Sequence, residues 1–275
     1  MPTVRDVLAA LEARFPQHLA EEWDVNGLTV GAPDAIVTRV HFAVDPTLAV
    51  AREAVSAGAQ LLVTHHPLLL RGVSNVAADT PKGAVVHALV AGGVALANAH
   101  TNADHGAGGV ADALAKAVGL DVTGPLIPLA GLHGLGTGRI GGLTDGPTLR
   151  EFALRVASAL PGTAHGVRVA GDLDAIVRTA AVVGGAGDSF LDAAREAGVD
   201  VYVTADLRHH PALDARESAT IGDGRPYLVD VSHFASEWLW LGDVATALGS
   251  ELGVDTYVST LNTDPWTARF DAPEE

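Results

Sequence analysis

The sequence predicts an α/β protein made of two similar lobes, and three observations support that prediction. Short, continuously apolar segments of strand length alternate with longer segments of helical periodicity. The chain also aligns with itself at an offset of 140 residues, where residues 34–64 match 174–204 at nine positions without a gap. Finally, histidines and carboxylates follow several predicted strands, which is where open α/β sheets usually bind ligands.

The composition provides a full hydrophobic core and excludes cysteine chemistry. The chain has 275 residues, of which 48% are hydrophobic, and it contains no cysteine, so disulfides, thiolate zinc sites and iron–sulfur clusters are excluded. Its formal net charge of -16 argues against binding to a nucleic-acid backbone. The N-terminus lacks a signal-peptide pattern and no apolar run reaches membrane-spanning length, so we expect a cytoplasmic protein without a membrane partner.

The first half begins with a predicted helix. Thr3 is a suitable N-cap with Asp6 three residues later, and apolar residues on one face extend the helix to about Arg14. Apolar runs and helical periodicity then predict strands at 28–30 and 37–44, a helix at 46–57, a strand at 61–64, a helix at 82–91, a strand at 94–99 and a helix at 110–118.

The second half follows the same order. We predict a helix at 148–160, strands at 167–170 and 179–183, a helix at 189–197, strands at 201–204 and 227–231, and a helix at 236–248. A glycine-rich segment, 131–146, joins the two copies, and the residues from about Thr263 are expected to form a tail. The predicted domains are therefore a first α/β lobe at 1–125 and a second at 126–275.

Two patterns in the chain have the spacing of metal ligands. His100 is followed four residues later by Asp104, and His233 is followed four residues later by Glu237. A His65-His66 pair also follows the apolar segment 61–64. Four imidazoles and two carboxylates suit two borderline divalent ions. The alternative is that the histidines only cap strands by hydrogen bonding. It does not explain why a carboxylate follows two of them at the same spacing of four residues.

These motifs together resemble a known family. In chain order they are Trp23-Asp24 with Gly27-Leu28, Thr64-His65-His66-Pro67, His100 to Asp104, and Asp230 to Glu237. They resemble the GTP cyclohydrolase 1 type 2 homologues, also called Nif-three-like proteins, in their short form. The resemblance implies a duplicated α/β fold with a dinuclear metal site between its lobes, and a homohexamer built as a trimer of dimers. It also implies the metal ligands, which are His65, His66, His100, Asp104, His233 and Glu237.

One further histidine is a candidate for catalysis. The segment 204–210 of the second copy stands where the His-His-Pro loop stands in the first, and its His210 matches a histidine of the family. His210 could serve as a general acid or base. A purely structural role for His210 is the alternative.

The predicted function is that of a two-metal hydrolase. Two divalent ions (Zn, Fe, Mn, Ni or Co) carry more positive charge than two carboxylates can cancel, so the site would prefer an anionic small molecule such as a nucleotide or another phosphate ester. The alternative is a non-catalytic metal chaperone or scaffold, which would exchange metal without turning over a substrate. The sequence does not select the metal or the substrate.

Overall fold

A computed structural model describes residues 1–271 of the chain. The helices are α1 (Val4–Arg14), α2 (Leu48–Ser56), α3 (Pro81–Gly92), α4 (Thr101–His105), α5 (Val110–Ala117), α6 (Leu149–Ala159), α7 (Leu191–Glu196), α8 (His209–Ile221), α9 (His233–Trp238) and α10 (Trp240–Leu252). The strands are β1 (Gly27–Val30), β2 (Arg39–Ala43), β3 (Leu61–Thr64), β4 (Ala95–Asn98), β5 (Asp121–Gly124), β6 (Ile127–Pro128), β7 (Gly136–Thr137), β8 (Arg139–Gly142), β9 (Arg168–Ala170), β10 (Thr179–Ala186), β11 (Val201–Ala205), β12 (Tyr227–Val231) and β13 (Asp255–Val258). Short 3-10 helices occupy Gln17–Leu19 and Asp188–Phe190.

The chain forms two compact units, each with its own sheet. The first unit contains Met1–Gly109 together with Trp240–Thr263, and the second contains Val110–Leu239 and the residues from Asp264 onward. These units differ from the predicted division into 1–125 and 126–275. The reason is that α10 and β13, although late in the sequence, pack into the first unit, where β13 pairs in parallel with β2.

The first unit is built on a five-stranded sheet with the order β1-β4-β3-β2-β13. Its strands are parallel except for β1, which runs antiparallel to β4. All four residues of β3 and of β4 are buried, as expected for strands covered on both faces. The sheet and the helices α2 and α3 share one apolar core that includes Val50, Leu62, Leu89 and Leu96.

The second unit contains a six-stranded sheet with the order β5-β8-β10-β11-β12-β9, in which β10, β11 and β12 are parallel. Successive residues of its central strand enter different cores. Val201 and Val203 lie in one apolar cluster, and Tyr202 lies in another. This alternation follows from the two-residue period of a strand, and it shows that both faces of β11 are buried.

Similar local structures begin the two halves. Thr3 and Asp6 form a capping box at α1, and Thr148 and Glu151 form one at α6. Isolated bridges pair Thr3 with Ile36 and Thr148 with Ile176. The capping box predicted for α1 is therefore confirmed, and the same arrangement recurs near the predicted offset.

The structure corrects the prediction around residue 236. Instead of one helix at 236–248, α9 and α10 follow each other with Leu239 between them. The first helix begins three residues earlier because the side chain of Ser232 accepts a hydrogen bond from Ala235 N and serves as its N-cap.

Further elements were not predicted, namely α4, β5, β6, β7, α8, β8 and β13. Helix α8 contains one fully buried residue, Ala219, so its sequence has a weak apolar periodicity. Strand β8 lies in the segment interpreted as a glycine-rich linker, and pairing with β5 and β10 makes it a strand. Strand β13 is short and half-exposed. Within residues 1–271, no helix is long and apolar enough to cross a membrane.

Candidate metal centre

Three predicted ligands of the first unit meet at the carboxyl ends of neighbouring strands. His65 and His66 directly follow β3, and His100 follows β4 after one residue. Their ring centroids are 5.0 Å apart for His65 and His66, 5.2 Å for His65 and His100, and 5.5 Å for His66 and His100. One ring nitrogen from each lies within 4.8 Å of the others, so this group could hold a metal ion.

Each of these imidazoles is held through Nδ1 by an oxygen acceptor. His65 Nδ1 lies 3.0 Å from the backbone oxygen of Ala99, and His66 Nδ1 lies 2.7 Å from Asp45 Oδ1. His100 Nδ1 lies 2.7 Å from Asp24 Oδ1. A carbonyl or carboxylate oxygen accepts a proton, so Nδ1 carries the hydrogen and Nε2 carries the lone pair. Metal-binding histidines are commonly oriented in this way.

Asp24 is the most heavily hydrogen-bonded of these supports. Its Oδ2 accepts from Thr101 N at 3.0 Å, from Thr101 Oγ1 at 2.5 Å and from Asn26 Nδ2 at 2.9 Å. Burial works to raise the pKa of Asp24, but the hydrogen bonds from His100 and Thr101 outweigh it and hold that pKa far below its usual value. Asp24 is therefore ionised and fixes the ring plane of His100.

Asp104 lies on α4, beside His65. Its Oδ1 is 3.6 Å from His65 Nε2, and its side chain is 26% exposed. The neighbouring His105 points elsewhere, because its Nδ1 donates to the backbone oxygen of Leu19 at 2.7 Å. The structure thus brings one carboxylate of the predicted set to the Nε2 side of a predicted histidine ligand.

The predicted tail takes part in supporting the site. Thr263 Oγ1 donates to Asp45 Oδ2, on the same carboxylate that orients His66. The next residue, Asp264, accepts a hydrogen bond from the N-cap residue Ser232 at 2.5 Å. The expectation of a tail from Thr263 is therefore wrong for these two residues, because their side chains form hydrogen bonds to Asp45 and Ser232.

In the second unit, α9 presents His233 and Glu237 on one face. Their spacing of four residues is one helical turn, and His233 Nε2 lies 3.1 Å from Glu237 Oε1. Glu237 is buried, and Gly185 at the end of β10 passes close to it. A Cβ at Gly185 would stand 2.3 Å from Glu237 Oε1, so this approach requires glycine, as does its φ of +67°.

Asp206 orients the ring of His233. Asp206 Oδ2 lies 2.8 Å from His233 Nδ1, which repeats the arrangement found for the other predicted histidine ligands. Asp206 has a φ of +56°, a left-handed conformation that is uncommon outside glycine. Its hydrogen bond with His233 lowers the pKa of Asp206. A strained backbone next to a candidate ligand is typical of functional sites.

The charge around His233 is strongly negative. Burial lowers the pKa of His233, but the charge of Glu237 and the hydrogen bonds to Asp206 and Glu237 exceed that effect and raise the pKa to about 11. The surrounding carboxylates favour positive charge at the ring of His233, so the pair of His233 and Glu237 suits a metal ion, which would take the place of a proton.

His210 occupies a different kind of position. It lies in the first turn of α8 and is exposed, and its ring centroid is 5.1 Å from that of His209. Among residues 1–271, no carboxylate is found at hydrogen-bond distance from His210, in contrast to His66, His100 and His233. The role of His210 as a general acid or base stays a prediction.

Sequence reasoning missed several supporting residues. The predicted ligands and catalytic residue include neither Asp45 nor Asp206. The signal for Asp206 is its place after the predicted strand 201–204, with one residue between them, where the internal alignment puts it opposite His66. Asp45 likewise follows the strand β2 after one residue. In both cases, the carboxylate supports a histidine that is 21 or 27 residues away in sequence.

The donor set fits a divalent transition-metal ion. In each unit, the ring nitrogen that faces away from the oxygen acceptor is Nε2, and the carboxylate of Asp104 or of Glu237 lies next to one such nitrogen. Nitrogen and oxygen donors of this kind suit Zn, Fe, Mn, Co and Ni. The supporting acceptors that such ligands usually need are also present.

Comparison with known proteins identifies the family. The family model described as Duf34/NIF3 (NGG1p interacting factor 3) matches residues 2–265. The chain belongs to the Duf34/NIF3 family. The resemblance inferred from the sequence motifs is thereby confirmed.

This Duf34/NIF3 protein has close relatives over nearly its whole length. It is 50% identical over 279 residues to a GTP cyclohydrolase 1 type 2 homolog from Streptomyces coelicolor, covering 98% of this chain and 95% of the relative. It is 36% identical over 369 residues to a protein of the same name from Mycobacterium bovis, and that match covers 95% of this chain and 96% of the relative.

A solved structure has the same fold. The Bacillus cereus protein related to NIF3 superposes with a TM-score of 0.87 at 26% sequence identity, covering 97% of this chain and 99% of the other. The mixed α/β fold described above is therefore the fold of NIF3 proteins.

Proposed function

We propose that this chain is a metal-dependent hydrolase acting on a small anionic molecule, either a nucleotide or another phosphate ester. The observation that supports the proposal is the orientation of the predicted histidine ligands. In each of His65, His66, His100 and His233, an oxygen acceptor engages Nδ1, so that Nε2 is the nitrogen that would bind a metal. Histidines that only cap strands would not need this common orientation.

We further propose that six side chains bind two divalent ions per chain. They are His65, His66, His100, Asp104, His233 and Glu237. Two ions and two carboxylates leave a net positive charge, which favours an anionic ligand within a chain whose formal net charge is -16. When bound, the ions would supply Lewis-acid activation of a phosphoryl or carbonyl group.

The residues of the chain have distinct proposed tasks around these ions. Asp24, Asp45 and Asp206 keep the imidazole rings in place, so that little reorganisation is needed when metal binds. His210 is the proposed proton donor to the leaving group, since it is exposed and imidazole is the side chain most often used for general acid–base catalysis.

The names of the relatives guide the choice of substrate. Proteins 50% and 36% identical to this chain are named GTP cyclohydrolase 1 type 2 homolog, so guanine nucleotides are the first compounds to test. We also propose the homohexamer that the resemblance implies, which light scattering of the purified protein would measure.

The test combines metal analysis with an activity screen. We expect elemental analysis to find two divalent ions per chain, and the metal-loaded protein to hydrolyse at least one nucleotide or phosphate ester. Removal of the metal by a chelator should abolish that activity, and adding the metal back should restore it. A protein that binds metal reversibly but hydrolyses none of the compounds would overturn the hydrolase and support the metal chaperone. A protein that binds no metal would overturn both.

A further inference from the structure

Trp23 is a large apolar side chain exposed beside the candidate metal centre. It lies in the turn between the 3-10 helix Gln17–Leu19 and β1, and it is 59% exposed. Its ring centroid is 5.9 Å from that of His100, with the two planes at 77°. Because the indole is exposed beside a predicted metal ligand, a molecule bound at that ligand can reach its aromatic face.

The turn that holds Trp23 is fixed on both sides. On one side, Glu21 N donates to Thr101 Oγ1 at 3.0 Å. On the other side, Asp24 is bonded to His100 and Thr101, and its Oδ1 also accepts from Val25 N at 2.8 Å. The backbone around Trp23 is thus tied to the segment that carries His100. An aromatic side chain on such a backbone loses little conformational entropy when it binds a ligand, because it has two side-chain torsions.

We propose that Trp23 is the stacking platform for an aromatic ring of the metal-bound ligand. The ligand class is then a nucleotide-like phosphate ester, with its phosphate at the metal centre and its base on the indole. This inference rests on the proposed function, because it assigns the substrate class of the same site. Stacking between a base and an aromatic side chain tolerates any base, since every base has a π-face.

A ligand ring fits this place better than a protein partner. The neighbouring exposed apolar side chain of the turn is Val25, at 45% exposure, and Asp24 and Asn26 around it are polar and at least half-buried. A stable protein interface needs about 800 Å² from each partner. A single indole with one valine instead matches the face of one heterocyclic base.

The experiment compares two probes that differ only in the base. GMP and ribose 5-phosphate share the sugar and the phosphate, and their dissociation constants are measured by calorimetry on the metal-loaded protein. We expect Trp23→Ala to weaken GMP binding by about 5- to 150-fold, the range for losing one stacked base. Trp23→Phe should retain most of the GMP affinity. Ribose 5-phosphate should bind all three proteins equally.

The controls separate this inference from the proposed function. Elemental analysis and circular dichroism should show equal metal content and an intact fold in both variants. If the alanine variant does not fold, Trp23→Leu, which keeps an apolar side chain without an aromatic ring, replaces it and should weaken GMP binding in the same way. Equal weakening of GMP and ribose 5-phosphate, or an unchanged GMP affinity in Trp23→Ala, would overturn the role of Trp23 alone. A change in oligomeric state on light scattering would assign Trp23 to an interface between copies and would also overturn it. If the wild-type protein binds neither probe, the phosphate-ester function and the stacking role both fail.

Discussion

The ends of strands β3 and β11 correspond in the internal alignment, yet they carry side chains with different tasks. Each strand lies between two parallel neighbours, and each ends near a buried threonine, Thr64 or Thr204. After β3, the chain places His66, whose Nε2 is a proposed metal donor. At the aligned position, 140 residues later and directly after β11, it places Asp206, which holds the Nδ1 of His233.

A second pair of corresponding positions shows how the donor sets differ. Asp45 follows β2 and orients His66, whereas its counterpart at an offset of 140 residues is Gly185. Because Gly185 has no side chain, Glu237 can approach β10 closely. The lesson is that similar strand ends fix where a side chain stands, while the residue type decides whether it binds the metal, supports a ligand or makes room for one.

The largest expected effect comes from removing a proposed donor at the end of β3. His65 is fully buried, and its Nδ1 is engaged by the backbone of Ala99. Loss of a residue that supports a ligand typically reduces metal affinity by about 10- to 100-fold. Because His65 is proposed as a ligand itself, His65→Ala should reduce metal affinity by more than about 100-fold. Competition with a chromogenic chelator measures the affinity. The matched control is His87→Ala, which removes an exposed histidine of α3. Equal affinities in the two variants would show that His65 is no ligand.

A smaller effect is expected at the end of β11. Asp206→Ala should reduce metal affinity by about 10- to 100-fold, because His233 loses the acceptor that orients it. Asp206→Asn should reduce metal affinity less, since its amide oxygen can still accept the Nδ1 hydrogen of His233.

The glycine variant separates the carboxylate from the backbone. Asp206→Gly suits the observed φ of +56° and should match the wild-type thermal stability, yet bind metal as weakly as the alanine variant. Restored metal affinity in Asp206→Gly would mean that the strained backbone, and not the carboxylate, matters at this strand end.

The smallest effect concerns a buried histidine that only one of the corresponding strands has. His41 of β2 is fully buried, and its Nε2 lies 2.9 Å from Glu53 Oε2, whereas the corresponding residue of β10 is Ala181. Burial lowers the pKa of His41, although the hydrogen bond to Glu53 opposes this. The unfolded chain therefore binds the proton more readily, and stability present above about pH 6.5 is lost as the pH falls below that value.

Hydrogen exchange can detect this difference locally. Between pH 7 and pH 5, after correction for intrinsic rates, peptides from β2 should lose protection by at most about 1.4 kcal/mol per pH unit, and peptides from β10 should lose less. In His41→Gln, whose amide can still donate to Glu53, the extra loss in β2 should disappear. Equal losses from β2 and β10 in the wild-type protein would show that His41 does not set this pH dependence.

Features encoded in short stretches of sequence were predicted well. The apolar runs 61–64 and 227–231 became β3 and β12 with those bounds, and the capping box of Thr3 and Asp6 formed as expected. Helix α9 also places His233 and Glu237 on one face, although the helix predicted in this segment began only at residue 236. These predictions need only the period of a strand or helix and the geometry of one turn.

Features that depend on distant partners were decided by the tertiary structure. Strands β8 and β13 form because neighbouring strands offer hydrogen-bond partners, and the late elements α10 and β13 join the first unit through such pairing. The roles of Asp45 and Asp206 were likewise not predicted, since each of these carboxylates meets its histidine only in the folded chain. The sequence by itself thus determined the ligand motifs and those helices and strands that have a clear apolar periodicity, because local periodicity specifies them. Only the tertiary structure decided which carboxylates orient those ligands, because a hydrogen bond between distant residues leaves no pattern in a single sequence.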